Sequence, residues 1–188
     1  MLLRFRKDAT AIFIAAQLIA TCPSSAADDV DLLAGTVYER VGDQENLDPY
    51  LLYSISLLES ANGYGKSGQY VAPSPYAIRG PGGSFYPQSY DEAVKVLNQQ
   101  IEKYGVRKLD IGLMQINGQH WGKVKRPEDL LNPYINVRLG AQILRYGLKK
   151  NSTDLELAIG SYHSPTGWRA RNYGSRVLAV YSNLKEFR

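Results

Sequence analysis

The chain has 188 residues, a length that suits a single domain with a hydrophobic core. Hydrophobic residues at 44% and charged residues at 21% are ordinary values for a globular protein, and they exclude a disordered or low-complexity chain. The net charge of +4 is small and the basic residues are not clustered, which argues against a nucleic-acid partner.

Residues 1–27 have the pattern of a secretory signal peptide. A positively charged start precedes an apolar stretch over residues 9–21, which is too short to span a bilayer. Ser25 and Ala27 supply the small residues of a cleavage site. We therefore expect export to the periplasm and a mature domain that comprises residues 28–188.

Cys22 is the only cysteine of the chain, and it allows a second interpretation of this segment. The letters LIATC resemble a lipoprotein signal, in which the cysteine becomes the acylated first residue. Thr21 is a poor match for the small residue expected just before that cysteine, so we favour cleavage after Ala27 over acylation. Cleavage there leaves a mature chain without disulfide or thiol chemistry.

The first two predicted elements of the mature chain are helices. Apolar residues at helical spacing predict an amphipathic helix over residues 28–41. In the letters LDPY, Asp48 is the predicted N-cap and Pro49 the first residue of a second helix. A glycine-rich stretch that begins at residue 61 is predicted to end this helix near Ser60.

A breaker-rich segment and four more predicted helices follow. Residues 61–88 are predicted to be irregular, with a short β-hairpin around residues 80–83. The predicted helices run from the Ser89 cap to Gly105, from Asn132 and Pro133 to about Leu148, over about residues 154–162 and over about residues 173–185. No repeat or linker divides the chain, so the predicted fold is a compact α+β domain that is predominantly α.

Glu59 lies on the apolar stripe of the second predicted helix. It follows Leu51, Leu52 and Ile55 by eight, seven and four residues, which is the spacing of one helical face. A carboxylate in apolar surroundings is costly to ionise, so its pKa rises and it tends to keep its proton. A protonated carboxylic acid can serve as a general acid on a glycosidic oxygen. The alternative from position alone is a helix-end glutamate that faces solvent or pairs with an arginine.

Two further segments carry polar groups next to helix ends or in loops. The letters DIGLMQIN over residues 110–117 bear Gln115, whose amide both donates and accepts hydrogen bonds. The letters AIGSYHSPTGW place Tyr162 and His163 at the end of a predicted helix, before a turn. Polar groups at the ends of separate elements are how clefts are commonly built on helical scaffolds.

The letters LLYSISLLES, GLMQIN and AIGSYHS resemble, in this order, three motifs of the SLT-type lytic transglycosylases: Glu-Ser, Gly-Leu-Met-Gln and Ala-x-x-x-Tyr-Asn. The resemblance covers about residues 30–185. It implies a lysozyme-like fold and an enzyme that cleaves the β-1,4 bond between N-acetylmuramic acid and N-acetylglucosamine in peptidoglycan, with formation of a 1,6-anhydro ring. The stretch between Glu59 and Gln115 resembles the small members encoded with conjugation and type IV secretion machinery, which open the wall locally.

The resemblance also implies roles for individual residues. Glu59 would protonate the glycosidic oxygen and would then, as a carboxylate, take the proton of the muramic C6 hydroxyl. Tyr162 would hydrogen-bond Glu59 and orient it. The residues expected to bind substrate or to hold the site are Ser60, Met114, Gln115, Asn117, Tyr162 and His163. No cofactor is implied, and the two histidines lack metal-ligand spacing, so we expect no metal site.

Three residues near the motifs have open roles. His163 stands where the family usually has asparagine, and we favour a structural hydrogen-bonding role over a pH-sensing one. His120 is predicted to pack in its loop with Trp121. Asp110 is interpreted as a loop carboxylate that caps backbone N–H groups.

Two rival functions stay open alongside the transglycosylase. If Asp110 faced Glu59 across the cleft, the chain would be a muramidase that uses water. The other rival is a non-catalytic wall-binding component of a secretion system. The expected partners are peptidoglycan glycan strands and components of a conjugation or type IV secretion apparatus, and the expected state is a monomer.

Overall fold

The structure is a computed structural model that describes residues 31–62 and 71–186. Within these ranges the chain forms six α-helices, three 3₁₀ helices and two small antiparallel sheets. This architecture confirms the predicted α+β fold that is predominantly α. None of the helices described combines the length and hydrophobicity that crossing a bilayer requires. The predicted signal peptide and Cys22 lie outside the described residues.

The elements follow one another along the chain with short connections. The α-helices are α1 (Val37–Glu45), α2 (Pro49–Ser60), α3 (Tyr90–Tyr104), α4 (Pro133–Lys150), α5 (Leu155–Gly160) and α6 (Gly167–Lys185). The strands are β1 (Ala61–Asn62), β2 (Ala72–Pro73), β3 (Ile78–Gly80), β4 (Gly83–Phe85), β5 (Asp110–Ile111) and β6 (Ile116–Asn117). The 3₁₀ helices are η1 (Val106–Lys108), η2 (Gly118–Lys123) and η3 (Pro127–Leu131).

Local capping chemistry sets most helix starts where the sequence predicts them. The Asp48 side chain accepts a hydrogen bond from the backbone N–H of Tyr50 at the start of α2. Ser89 caps α3 in the same way, and the Asn132 side chain caps α4. The hairpin of β3 and β4 also forms as predicted, with Gly80 paired to Gly83.

Two predicted helix starts are wrong. The first helix begins at Val37, after a turn over residues 31–36, because Thr36 caps it with a side chain that accepts from the backbone N–H of Glu39. The last helix begins at Gly167, several residues before the predicted start. Its first turns pack so closely on α5 that a side-chain carbon at Gly160 would collide with the Ala170 carbonyl. This close packing favours a helical start of α6, although the residues there predict a turn from the sequence alone.

The four-stranded sheet has the order β4-β3-β5-β6, and every pairing is antiparallel. Its register pairs Arg79 with Asp110, and Asp110 with Asn117. These three side chains therefore share one face of the sheet, because successive side chains of a strand point to opposite faces. The other face carries Ile78 and its paired isoleucines of β5 and β6, which are buried.

A buried amide on α4 holds the segment that follows β5. The Asn136 side chain donates to the carbonyls of Ile111 and Leu130, and it accepts from the backbone N–H of Met114. Gly112 adopts a positive φ of 79° directly against this amide, where a side-chain carbon would collide with it. Asn136 thus bonds three backbone groups from three separate positions and holds them to α4.

We predict that Asn136→Ala destabilises the fold by at least about 3 kcal/mol, because each orphaned buried backbone group costs about 1–3 kcal/mol. Urea unfolding followed by circular dichroism measures this change. The exposed Asn183 on α6 provides the matched control, and Asn183→Ala is expected to stay within about 0.5 kcal/mol of the parent chain. Equal stability of the two variants would contradict the role assigned to Asn136.

Candidate active site

A cleft of ≈ 320 Å³ opens where the end of α2, the polar face of the sheet, η2 and the segment after α5 meet. Its walls bring together residues from five separate parts of the chain. The lining residues are Glu59, Arg79, Asp110, Gln115, Ile116, Asn117, Gln119, His120, Ile143, Tyr162 and His163. Five of the seven predicted site residues, Glu59, Gln115, Asn117, Tyr162 and His163, therefore lie in one cavity.

Glu59 stands in the last turn of α2 and is only 8% exposed. Its apolar neighbours Leu52 and Ile55 on the same helical stripe are fully buried, as the spacing predicts. The Tyr173 hydroxyl donates a hydrogen bond of 2.6 Å to Glu59 Oε1. The Arg79 guanidinium donates to the backbone carbonyl of Glu59 at 2.9 Å, which fixes the end of the helix against β3.

Opposing influences act on the pKa of Glu59. Burial is the largest, and it raises the pKa of this carboxyl above its ordinary value. The Tyr173 hydrogen bond and the nearby His163 lower the pKa, as does the positive charge of Arg79. The negative charge of Asp110 adds to the rise. The net direction is upward, which favours the protonated form that a general acid requires.

Tyr173 is a site residue that the sequence analysis missed. It lies on α6 with Ala170, Gly174 and Val177 on one buried stripe. A tyrosine on an apolar stripe needs a partner for its hydroxyl, so this pattern is the signal that could have found it. The stripe was not apparent from the sequence, because the local pattern predicts a start of the last helix near residue 173 and a loop before it.

The predicted hydrogen bond between Tyr162 and Glu59 is wrong. The Tyr162 hydroxyl donates instead to the backbone carbonyl of Met114, at 2.6 Å. Tyr162 lines the cleft and ties the end of α5 to the segment between β5 and β6. The hydrogen bond that we expected between Tyr162 and Glu59 is thus made by Tyr173.

Ser60 and Met114 are buried in the core, so neither side chain is available to a sugar as predicted. The Ser60 hydroxyl donates to the Leu113 carbonyl at 2.6 Å, which ties α2 to the loop before Met114. The Met114 side chain packs against Gly140 of α4. Both residues thus support the cleft from the core of the domain.

Gln115 occupies a strained position at the cleft. It is one of two residues other than glycine with positive φ among those described, at 45°. Its side-chain amide donates to the carbonyls of Gly112 and Ala77, which pins the loop to the start of β3. Its side-chain oxygen is buried without a hydrogen-bond partner. Strained backbone that is held by such bonds is common at functional sites.

The polar face of the sheet forms one wall of the cleft. Asn117 donates from its side chain to Asp110 at 2.9 Å, and its side-chain oxygen caps η2 by accepting from Gln119. Asp110 is therefore a cleft carboxylate on a strand, and its interpretation as a loop cap of backbone N–H groups is wrong. Its charge is felt by Glu59, whose pKa it raises.

The two histidines also stand at the cleft. His163 Nδ1 is 3.8 Å from Glu59 Oε1, and its ring stacks in parallel on Tyr173 with centroids 4.7 Å apart. His163 therefore lies against both Glu59 and Tyr173, and the structural role that we favoured stays a prediction. His120 was predicted to pack in its loop, but it lines the cleft, and burial lowers its pKa. No group of three or more potential metal ligands occurs within the described residues.

Comparison with known families matches residues 37–177 to the transglycosylase SLT domain. This match spans most of the chain, and the chain belongs to that family. The protein is accordingly a lytic transglycosylase that acts on peptidoglycan. Comparisons with curated proteins and with solved structures found no match.

We predict that Tyr173→Phe lowers kcat by about tenfold to a hundredfold, because the acid loses the hydroxyl that orients it. The same change removes an interaction that lowers the pKa of Glu59. Activity that needs protonated Glu59 falls as pH rises through this pKa, so the fall should move to higher pH in the variant. A pH profile of turnover on purified peptidoglycan measures both effects.

Tyr162→Phe is the matched control for this experiment. It removes a hydroxyl that contacts the Met114 carbonyl, so we expect a loss of stability of about 1 kcal/mol and an unshifted pH profile. A shift in the Tyr162 variant together with an unchanged Tyr173 variant would reverse the roles assigned to the two tyrosines.

Proposed function

We propose that Glu59 is the single catalytic carboxylate of this transglycosylase and that it acts first as acid and then as base. The observation that carries the proposal is the buried position of its side chain on the cleft floor, held by the Tyr173 hydroxyl. Burial favours a neutral carboxyl when substrate arrives, and the hydrogen bond aims it.

The reaction that follows from this position needs no water. Glu59 gives its proton to the glycosidic oxygen while the bond from that oxygen to the muramic C1 breaks. The resulting carboxylate then takes the proton of the C6 hydroxyl as the C6 oxygen forms a bond to C1. The products are a free hydroxyl on the N-acetylglucosamine side and a 1,6-anhydro ring on the muramic side, and Glu59 is protonated again.

Hydrolysis is the second candidate, and Asp110 is the observation that favours it. A second carboxylate in the same cleft is what a water-using glycosidase requires. Asp110, however, already accepts a hydrogen bond from Asn117, and its charge raises the pKa of Glu59. We therefore assign Asp110 to tuning the acid and to holding the sheet wall, and we keep Glu59 as the only proton carrier.

We predict that Glu59→Gln lowers cleavage of purified peptidoglycan by at least about a thousandfold, because an amide cannot supply the proton. Asp110→Asn should retain activity within about tenfold and should still release anhydro products. Mass spectrometry of the released muropeptides distinguishes anhydro products, which are lighter by one water, from products with a reducing end. Reducing-end products that disappear in the Asp110 variant would support hydrolysis.

We further predict that Glu59→Gln stabilises the protein at neutral pH. The folded-state pKa of Glu59 is raised, so the unfolded chain releases this proton more readily and stability falls as pH rises above the ordinary value of 4.5. Glutamine has no proton to lose, and its amide oxygen still accepts from Tyr173. The midpoint of thermal unfolding should therefore be higher in the variant at pH 7, and the difference should shrink below about pH 4. A difference that is independent of pH would contradict burial of an ionisable group here.

We also propose that the protein is exported to the periplasm, acts as a monomer and opens the wall locally for a conjugation or type IV secretion apparatus. Support comes from the signal-peptide pattern and from the resemblance of the stretch between Glu59 and Gln115 to transglycosylases of such systems. Complementation of a deletion strain by the wild-type chain and by Glu59→Gln tests this role. Equal secretion or transfer with both chains would favour a non-catalytic wall-binding component.

A further inference from the structure

A second cavity of ≈ 530 Å³ lies between α4 and the segment from η2 to η3. Its apolar lining includes Leu139, which is buried, and Val124 and Ile135, which are half-buried. Its cationic lining consists of Lys123, Lys125 and Arg138, all exposed. We call this cavity, with these six residues, the basic pocket.

The positive charges that line the basic pocket outnumber the negative charges that line it. Lys123 and Lys125 have no ion pair within the described residues. Asp129 also lines the pocket and offsets one of the three positive charges, while its carboxylate accepts from the backbone N–H groups of Lys125 and Arg126 and so holds the turn. The pocket therefore presents cations above an apolar floor, a combination that suits a ligand with carboxylates and small apolar groups.

Arg138 is partly engaged outside the pocket. Its Nε is 3.5 Å from Glu45, whose other carboxylate oxygen is 3.0 Å from Arg145. Glu45 is thus shared by two guanidinium groups, and the Arg138 side chain is still 52% exposed. The two lysines consequently carry most of the attraction for an anionic ligand, with Arg138 adding a smaller part.

The basic pocket shares two walls with the catalytic cleft. The helix η2 contributes His120 to the cleft and Lys123 to the pocket, three residues apart, or about 6 Å at 3₁₀ rise. The helix α4 contributes Ile143 to the cleft and Leu139 to the pocket, one turn apart, or about 6 Å. An extended peptide spans about 3.4 Å per residue, so a peptide of a few residues is long enough to run from the cleft to the basic pocket.

We propose that the basic pocket binds the peptide stem of the peptidoglycan strand, and this inference rests on the substrate given above. The stem is attached to the muramic residue that the cleft must hold, and it carries free carboxylates and alanine methyl groups. The lysines contact the carboxylates, and the floor of Leu139 and its neighbours covers the methyl groups. The enzyme then prefers strands that carry stems over strands from which stems have been removed.

The test compares two substrates with two double variants. The substrates are intact purified peptidoglycan and glycan strands stripped of their stems by an amidase. The pocket variant is Lys123→Glu with Lys125→Glu, and the control is Lys95→Glu with Lys149→Glu, which makes the same change of charge at exposed sites outside both cavities. The readout is kcat/KM, measured as total glycosidic bonds cut.

We expect the pocket variant to lose about tenfold in kcat/KM on stem-bearing strands and less than about twofold on stripped strands, as two exposed charge contacts would give. The control should change less than about twofold on both substrates. The preference of the wild-type enzyme for stem-bearing strands should also shrink in high salt, because exposed charges are screened.

Equal losses of the pocket variant on both substrates, or no loss on either, would overturn the proposal. Equal losses in the pocket and control variants on stem-bearing strands would also overturn it, because the effect would then come from net charge. Failure of the proposed reaction is distinguishable, because it changes the mass of the products and leaves the comparison of bonds cut between substrates intact.

Discussion

The hydrogen bond from Tyr173 to Glu59 joins the chemistry of this transglycosylase to its fold. It connects residues 114 positions apart, and it forms only when α6 lies beside the end of α2. That placement depends in turn on the close approach of α5 and α6 at Gly160, where nothing larger than glycine fits against Ala170. The orientation of the acid is therefore a property of helix packing, and a change far from the cleft can disturb it.

The environment of Glu59 is a balance of opposed electrostatic influences. Burial and the charge of Asp110 favour the neutral acid, whereas Tyr173, His163 and Arg79 favour the carboxylate. Both forms have a task, since the proposed reaction uses the carboxyl once as acid and once as base. A site that strongly favoured one form would slow the other step, so partial compensation suits a single-carboxylate mechanism.

The two cavities present different surfaces to the sugar part and to the peptide part of peptidoglycan. The cleft has the polar wall and the buried carboxyl group that face the sugar, and the basic pocket, which shares α4 and η2 with the cleft, offers cations to the peptide. The helix α4 contributes to both cavities, and Asn136 on this helix bonds the strand β5 that carries Asp110.

Local patterns in the sequence determined most of the α-helices, the capped starts of α2, α3 and α4, the hairpin and the buried stripe on which Glu59 lies, because caps and apolar periodicity act within a few residues. They did not determine which hydroxyl meets the acid. Tyr162 lies within a recognised motif but bonds to the Met114 carbonyl, whereas Tyr173 lies outside the motifs and contacts Glu59. Only tertiary packing decided this, because the contact depends on how distant helices are set against each other, and spacing along the chain carries no such information.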